Sequence, residues 1–295
     1  VIGAYIEALR PRQWTKNLLL FAGLLFSQQF DQPALVLRAA LGFLAFSLLA
    51  GSVYVINDIA DVEHDRVHPR KRTRPVASGR LPVAAAWAFV VPTLAAAVGL
   101  AWWLGSGFAA TAAVYAVLNL AYSAFLKRRV LLDVFVVALG FVLRAIAGVE
   151  VLRPLSPGTI LSPWLLLCTF FGALFLGLAK RRREIENSGD AAVAQRAVLE
   201  QYSTTVLDGL LLVAASASLM SYALYTIWPA TVEKFGTEAL LFTTPFVAYG
   251  IFRYLHLVHV SELTEDPSHV LLTDRPLGLC VLLYLATVVG ILYLR

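Results

Sequence analysis

The sequence predicts an all-α, polytopic bundle of membrane-spanning helices, and three observations carry that prediction. Hydrophobic residues fill 59% of the 295 positions and charged residues only 15%, where a soluble domain has roughly 45–50% and about 25%. Mean hydropathy is +0.74. Long apolar runs succeed one another with short polar joints, and a spanning helix needs about 20 apolar residues. The runs fit nine spans and leave no length for a separate water-soluble domain, so residues 1–295 are expected to form a single integral membrane domain.

The first span, 18–30, has a short apolar stretch ending in Ser27-Gln28-Gln29, so its helix is expected to begin nearer Trp14, an aromatic anchor at the interface. The next six, 34–56, 83–103, 108–126, 130–152, 160–179 and 206–228, are apolar runs bounded by charge, Pro or Gly. The eighth, 239–260, contains Pro245, which is expected to kink it, and the ninth is 277–294. Cys168 and Cys280 lie inside apolar runs and read as small buried thiols. Glu7, Arg10, Pro11 and Arg12 do not read as a basic flank before an apolar core, so no cleavable leader is expected at this start.

Orientation comes from the basic residues. With a cytoplasmic N-terminus, eighteen of the 24 lie on the inner side and four on the outer, while Arg144 and Arg253 fall within spans. The positive-inside rule then gives N-in, C-out. Two inner loops are long, 57–82 and 181–205, and chemistry is expected on the cytoplasmic face. Within the second, 191–202 reads as a short amphipathic helix that either covers the site as a lid or rests on headgroups.

At the inner end of the second span stands Asn57-Asp58-Ile59-Ala60-Asp61-Val62-Glu63-His64-Asp65. At about 100° per residue, Asp58, Asp61 and Asp65 share a stripe of roughly 60° and Glu63 points away. Carboxylates held together need a cation between them, and an oxygen-only set suits Mg²⁺, which takes its other ligands from water and substrate phosphate. A magnesium-diphosphate site is the inference; plain ion pairing at a helix end is the alternative. A basic run comes next, Arg66-Val67-His68-Pro69-Arg70-Lys71-Arg72-Thr73-Arg74-Pro75, then Gly79-Arg80. Alone it reads as an inner-face anchor; beside the acids it supplies cations for the non-bridging oxygens. No histidine stands in a triad or metal spacing. Arg144 lies eleven residues past Asp133, about 16 Å deeper along the fifth span. A cation at that depth is costly and usually functional or paired; it either steers a lipid phosphate or bonds carbonyls and a carboxylate such as Glu150. Asp133, Arg253, Tyr254, Asp274 and Arg275 sit near inner helix ends, where they either complete a pocket or cap helices.

Asn57-Asp58-x-x-Asp61-x-x-x-Asp65, with Arg74-Pro75 and Gly79 after it, resembles the signature of the UbiA superfamily of intramembrane prenyltransferases. Most members join a polyprenyl diphosphate to an aromatic acceptor and carry a second aspartate motif near the sixth span. Here that place reads Leu178-Ala179-Lys180-Arg181-Arg182-Arg183-Glu184, cations instead of carboxylates, which suggests a donor with an additional phosphate. The chain is similar in this to the branch that transfers phosphoribose to decaprenyl phosphate, through Arg10-Pro11-Arg12-Gln13-Trp14-x-Lys16-Asn17, His68-Pro69-x-Lys71-Arg72-x-Arg74-Pro75, Leu126-Lys127, Arg144-Ala145-Ile146-Ala147-Gly148 and the Lys180 block.

The resemblance implies Mg²⁺ on Asp58, Asp61 and Asp65, which are the catalytic and metal-binding residues. It implies substrate contacts from Lys16, Asn17, Asn57, Lys71, Arg72, Arg74, Tyr122, Lys127, Arg144, Lys180, Arg181 and Arg182. The substrates would be 5-phosphoribosyl 1-diphosphate and a polyprenyl phosphate entering sideways from the membrane lipid. The setting would be the inner, cytoplasmic membrane of a bacterium and the pathway cell-wall arabinan precursor synthesis. No nucleic-acid partner is expected, and a homo-oligomer is compatible with the sequence. The rival readings are prenyl transfer to an aromatic, quinone or haem precursor, and transport of an anion or lipid.

Overall fold

In the computed structural model, residues 2–69, 71–160, 162–188, 199, 201–260, 270 and 273–293 are described, and their regular structure is entirely helical. Helices close their own backbone hydrogen bonds, the requirement that lipid imposes on a spanning segment. Packing divides the chain into two compact units, Val1–Phe125 with Gly140–Leu161, and Leu126–Leu139 with Ser162–Arg295.

The first unit contains α1 (Ile2–Ala8), a 3₁₀ helix (Pro11–Leu20), α2 (Phe21–Ser27), α3 (Pro33–Ala60), α4 (Val62–Val67), α5 (Val83–Leu104) and α6 (Ser106–Ala124). It also holds the later turns of α7 (Leu132–Glu150), whose first turns belong to the second unit. Pro33 opens α3 at its first turn, where the missing N–H costs nothing. Gly105, at φ 135°, is the single residue between α5 and α6. Leu20, Leu24, Phe46, Leu104, Phe108 and Val151 are fully buried in one core, where the Phe46 ring meets Phe108 edge-on at 6.3 Å. A second core joins Ala8, Leu9, Val55, Val76, Leu81, Ala86 and Val90, and seats the end of the 57–82 loop against α1, α3 and α5.

The second unit contains α8 (Pro163–Ser188), which packs along α9 (Thr204–Ile227), then α10 (Pro229–Phe235), α11 (Thr244–Val260) and α12 (Arg275–Tyr293). Ser203 caps α9, its Oγ accepting from the Val206 N–H at 3.2 Å. Edge-on ring pairs Trp164–Trp228, Phe175–Tyr254 and Tyr222–Tyr284 fill this unit.

Among the described residues, α3, α5, α6, α7, α8, α9 and α12 are long and apolar enough to cross a membrane. An eighth crossing results if α10 and the 239–260 segment, bent by 101°, count together. The 18–30 run is not one α-helix: its first residues finish the 3₁₀ helix and α2 adds only seven residues. Pro245 does not kink a helix interior. It is the second residue of α11, after a 3₁₀ turn at Ala239–Thr243, where its ring clashes with no preceding carbonyl. The 191–202 amphipathic segment lies outside the described residues except at Leu199, Gln201 and Tyr202.

Two glycines bring backbone onto backbone within the first unit. A Cβ on Gly23 would stand 2.5 Å from the Gly148 carbonyl oxygen, and a Cβ on Gly148 2.2 Å from the Leu20 carbonyl oxygen. Small residues permit such approaches between membrane helices. Gly148→Val should therefore lower stability in detergent by about 2 kcal/mol or more. Gly99→Ala, where nothing lies within 4 Å of the new carbon, should be neutral or slightly stabilising. Melting temperatures of the two variants check the contrast.

Candidate active site

The acidic stripe sits where α3 gives way to α4. Asp61 leaves helical geometry (φ −96°, ψ 10°), yet Asp61 N–H still bonds the Asn57 carbonyl and Asp65 N–H the Asp61 carbonyl, each at 2.9 Å. The turn is thus preserved across the break, and Asp58 and Asp65 stay on one face. Both carboxylates are almost completely buried, with 3% of each side chain exposed, and both accept from the same Arg74 Nη1, at 3.1 and 2.6 Å. Arg10 Nη2 donates to Asp58 at 2.5 Å and lies over the Tyr54 ring. Lys71 Nζ stands 3.9 Å from Asp65.

Arg74 is held there by the segment on its C-terminal side. Pro75, Val76 and Ala77 are buried, the Leu81 N–H bonds the Pro75 carbonyl at 2.9 Å, and Gly79 turns the chain at φ +78°. The segment 74–81 is thus a packed turn, whereas Arg66, Val67, Pro69, Arg72 and Thr73 before it are exposed. Arg80 fastens its far side, reaching both oxygens of Glu7 at 2.7 and 2.9 Å and holding that carboxyl below the usual glutamate range. Glu63 is exposed and pairs with Arg66 at 2.9 Å, away from the acidic face, as the helical spacing requires.

Of the three acids, the structure brings two together around one cationic nitrogen. Among the described residues, no three His, Cys, Asp or Glu gather as a metal cage. The donor chemistry nevertheless fits Mg²⁺: two hard carboxylates already facing a common positive charge, with water and phosphate to complete an octahedron. Asn57 is half-buried on the last turn of α3, and Arg72 is exposed in the 3₁₀ turn Lys71–Thr73. Sequence reasoning misses Arg10 as a partner of Asp58; its left-handed backbone (φ 53°), which aims the side chain, has no signature in composition.

Arg144 and Asn17 form a separate cluster in the same unit. Arg144 is 5% exposed. Its Nε donates to Asn17 Oδ1 at 2.7 Å, Nη1 to the Gly140 carbonyl and Nη2 to Tyr115 Oη, both at 2.8 Å. The other end of Asn17 donates to Ser47 Oγ at 3.0 Å. Of the two sequence-based alternatives, carbonyl bonding is what the structure has, and Glu150 is not the partner, since it pairs with Arg153 at 2.6 Å. Lys16 lines an adjacent open groove of about 460 Å³ with Thr15, Leu19, Ala22, Leu25 and Phe141. Tyr122 is half-buried in the last turn of α6.

The second unit holds Lys127 in a 3₁₀ turn (Leu126–Arg128) and the Lys180 block on α8. Arg181 is buried between Asp133 at 2.7 Å and Glu184 at 2.6 Å, and Arg182 bonds Asp208 at 2.5 Å and Glu186 at 2.8 Å. Lys180 is largely exposed and only 4.0 Å from Glu184. Tyr202 Oη donates to Asp133 at 2.8 Å and accepts from the Leu131 N–H at 2.7 Å; burial, then that carboxylate, pushes the phenol's pKa up. Asp274 accepts from Arg253 and from the Leu277 N–H, capping α12, and these bonds hold it below the ordinary aspartate range.

A helical membrane protein whose buried acids and arginines meet at a helix end belongs with enzymes that handle phosphorylated substrates in the bilayer. The chain belongs to the UbiA prenyltransferase family, whose profile matches residues 18–272. It is 31% identical to a decaprenyl-phosphate phosphoribosyltransferase of Mycolicibacterium smegmatis, over 99% of this chain and 93% of the relative. It is 35% identical to a protein of the same name from Corynebacterium glutamicum, over 98% and 86%. A solved UbiA homologue from Archaeoglobus fulgidus, bound to GPP and Mg²⁺, shares the fold with a TM-score of 0.71 at 19% identity, over 98% of this chain and 99% of that one.

Asp133→Asn removes one of the two carboxylate charges on the buried Arg181 guanidinium and leaves Glu184 as its counter-charge. It should cost about 2 kcal/mol of stability, read as a lowered melting temperature in detergent, whereas Glu63→Gln should leave melting unchanged.

Proposed function

We propose that this protein transfers the 5-phosphoribosyl group of 5-phosphoribosyl 1-diphosphate to a polyprenyl phosphate, releasing diphosphate, with Mg²⁺ as cofactor. The reading is carried by identity of 31–35% over nearly the whole chain to proteins named for that activity. The fold and the pairing of Asp58 and Asp65 around one cation are in keeping with it. The lipid phosphate oxygen forms a bond to ribose C1 while the C1–O bond to diphosphate breaks, its electron pair leaving on the diphosphate. The nucleophile is already anionic, so no general base is needed, and none of the histidines is assigned a part.

When bound, Mg²⁺ offsets the charge of the departing diphosphate. Asp58 and Asp65 supply its protein oxygens, with Asp61 and Asn57 beside them on the same turn. Arg74, Arg10, Lys71 and Arg72 are the cations at that end of the first unit for non-bridging phosphate oxygens. Lys16 is assigned to the donor, and Asn17 and Tyr122 are grouped with it. In the second unit, Lys180 and Lys127 are the candidates for a donor phosphate, whereas Arg181 and Arg182 are engaged by carboxylates of their own unit.

The topology we infer has nine crossings, N-in and C-out, in a bacterial inner membrane with the reaction on the cytoplasmic side. Its support is the excess of basic residues on inner segments. The 3₁₀ helix with α2 would be the first crossing and the bent 229–260 segment the eighth.

Purified enzyme given polyprenyl phosphate and labelled 5-phosphoribosyl 1-diphosphate should move label into the organic phase. EDTA should abolish the transfer and Mg²⁺ restore it. Product from a prenyl diphosphate and an aromatic acid, with no phosphoribosyl transfer, would return the protein to the ordinary prenyltransferases. Asp58→Asn and Asp65→Asn should each lower turnover by about a hundredfold or more, and Glu63→Gln by less than about twofold; equal losses in this assay would remove the carboxylate pair from the site.

A further inference from the structure

We infer that Arg144, through Asn17, is a positioning residue that sets Lys16, and that it is not itself a contact for substrate phosphate. The inference rests on the assignment of Lys16 to the donor. Arg144 lies within a span and is 5% exposed, a costly place for a cation. Among the described residues it has no carboxylate within 4.0 Å, so a structural ion pair does not account for it. Its nitrogens are instead directed at three neutral acceptors on three segments: the Asn17 side chain on the 3₁₀ helix, the Gly140 carbonyl one turn back on α7, and Tyr115 on α6. The guanidinium plane is enclosed by the Tyr115, Phe141 and Phe46 rings at 4.8, 5.3 and 5.9 Å. A phosphate has no open approach to it.

The network fixes Asn17. That amide is 1% exposed, bonded to Arg144 on one side and to Ser47 of α3 on the other. Holding both ends of an amide sets the rotation of the helix that carries it. Lys16 precedes Asn17 on that helix, so its side chain is delivered to the neighbouring face, where it lines the groove. Phe141 ties the two together, since it packs on the guanidinium and lines the same groove. An arginine is suited to this because its planar fork carries five donors in fixed directions; lysine would keep the charge and lose the geometry.

The test is a kinetic cycle on full-length enzyme in detergent, with the phosphoribosyl donor and polyprenyl phosphate varied separately. Lys16→Ala should raise the donor KM about tenfold, a charge-assisted hydrogen bond's worth, and leave the lipid KM unchanged. Arg144→Met and Arg144→Lys should both raise the donor KM by a similar factor. The Lys16→Ala/Arg144→Met double variant should show about tenfold, not the roughly hundredfold expected of independent contacts. Tyr115→Phe, which keeps the ring and removes one acceptor, should raise the donor KM two- to threefold and serves if the Arg144 variants do not fold. A purely structural Arg144 would lower the amount of active enzyme without moving KM.

An additive double variant, an intact Arg144→Lys, or a rise confined to the lipid KM would overturn the inference while leaving the assignment of Lys16 standing. A silent Lys16→Ala would overturn that assignment and the inference with it.

Discussion

The acidic end of the first unit depends on one guanidinium between two carboxylates. Asp58 and Asp65 approach the same nitrogen of Arg74, and both carboxylates are almost wholly buried, so their charges repel more strongly than at a surface. Without a cation at that point the two carboxylates would repel one another and separate. With it, the junction of α3 and α4 keeps both acids on one face although the helix is interrupted between them. Arg10 on Asp58 brings a second positive charge from the N-terminal segment. The packed turn of Val76, Ala77 and Leu81 keeps Arg74 from leaving. The proposed magnesium-diphosphate site rests on this acidic pair, already held against cations.

The division of labour among the arginines is the main thing the structure adds. Four consecutive cations, Lys180 to Arg183, read in sequence as one block aimed at phosphate. Folded, Arg181 and Arg182 turn to carboxylates on different segments of their unit, and Lys180 keeps the more exposed position. On a helix, successive residues point about 100° apart, so adjacent members of such a run face different partners. Arg144 repeats the lesson singly, because depth marks it as important without saying what it bonds.

Much of the fold is legible in the sequence. Hydropathy locates the long helices because lipid demands uninterrupted apolar length, and the 3.6-residue period places Asp58 and Asp65 together and Glu63 outside. The failures have physical causes. The 18–30 run is apolar, but hydropathy carries no information on whether a segment is α or 3₁₀. Pro245 reads as a kink because its position relative to a helix start depends on the turn before it. The helix break at Asp61 is invisible to a 100° wheel, although the hydrogen bonds on either side of it keep the turn. Arg10, Tyr115 and Ser47 carry no sequence signal of their roles, since their partners lie 29 to 48 residues away along the chain and contact is made by packing.

The 3₁₀ form of Pro11–Leu20 acquires a reason from its two attachments to α7. Asn17 meets Arg144 and the Leu20 carbonyl meets Gly148. A 3₁₀ helix rises about 2.0 Å per residue, hence about 6 Å from Asn17 to Leu20, and an α-helix about 1.5 Å, hence about 6 Å from Arg144 to Gly148. Three residues of one are commensurate with four of the other. Wound as an α-helix, the first segment would rise about 1.5 Å less between the two attachments, so the 3₁₀ form, uncommon at ten residues, brings the two spacings into step.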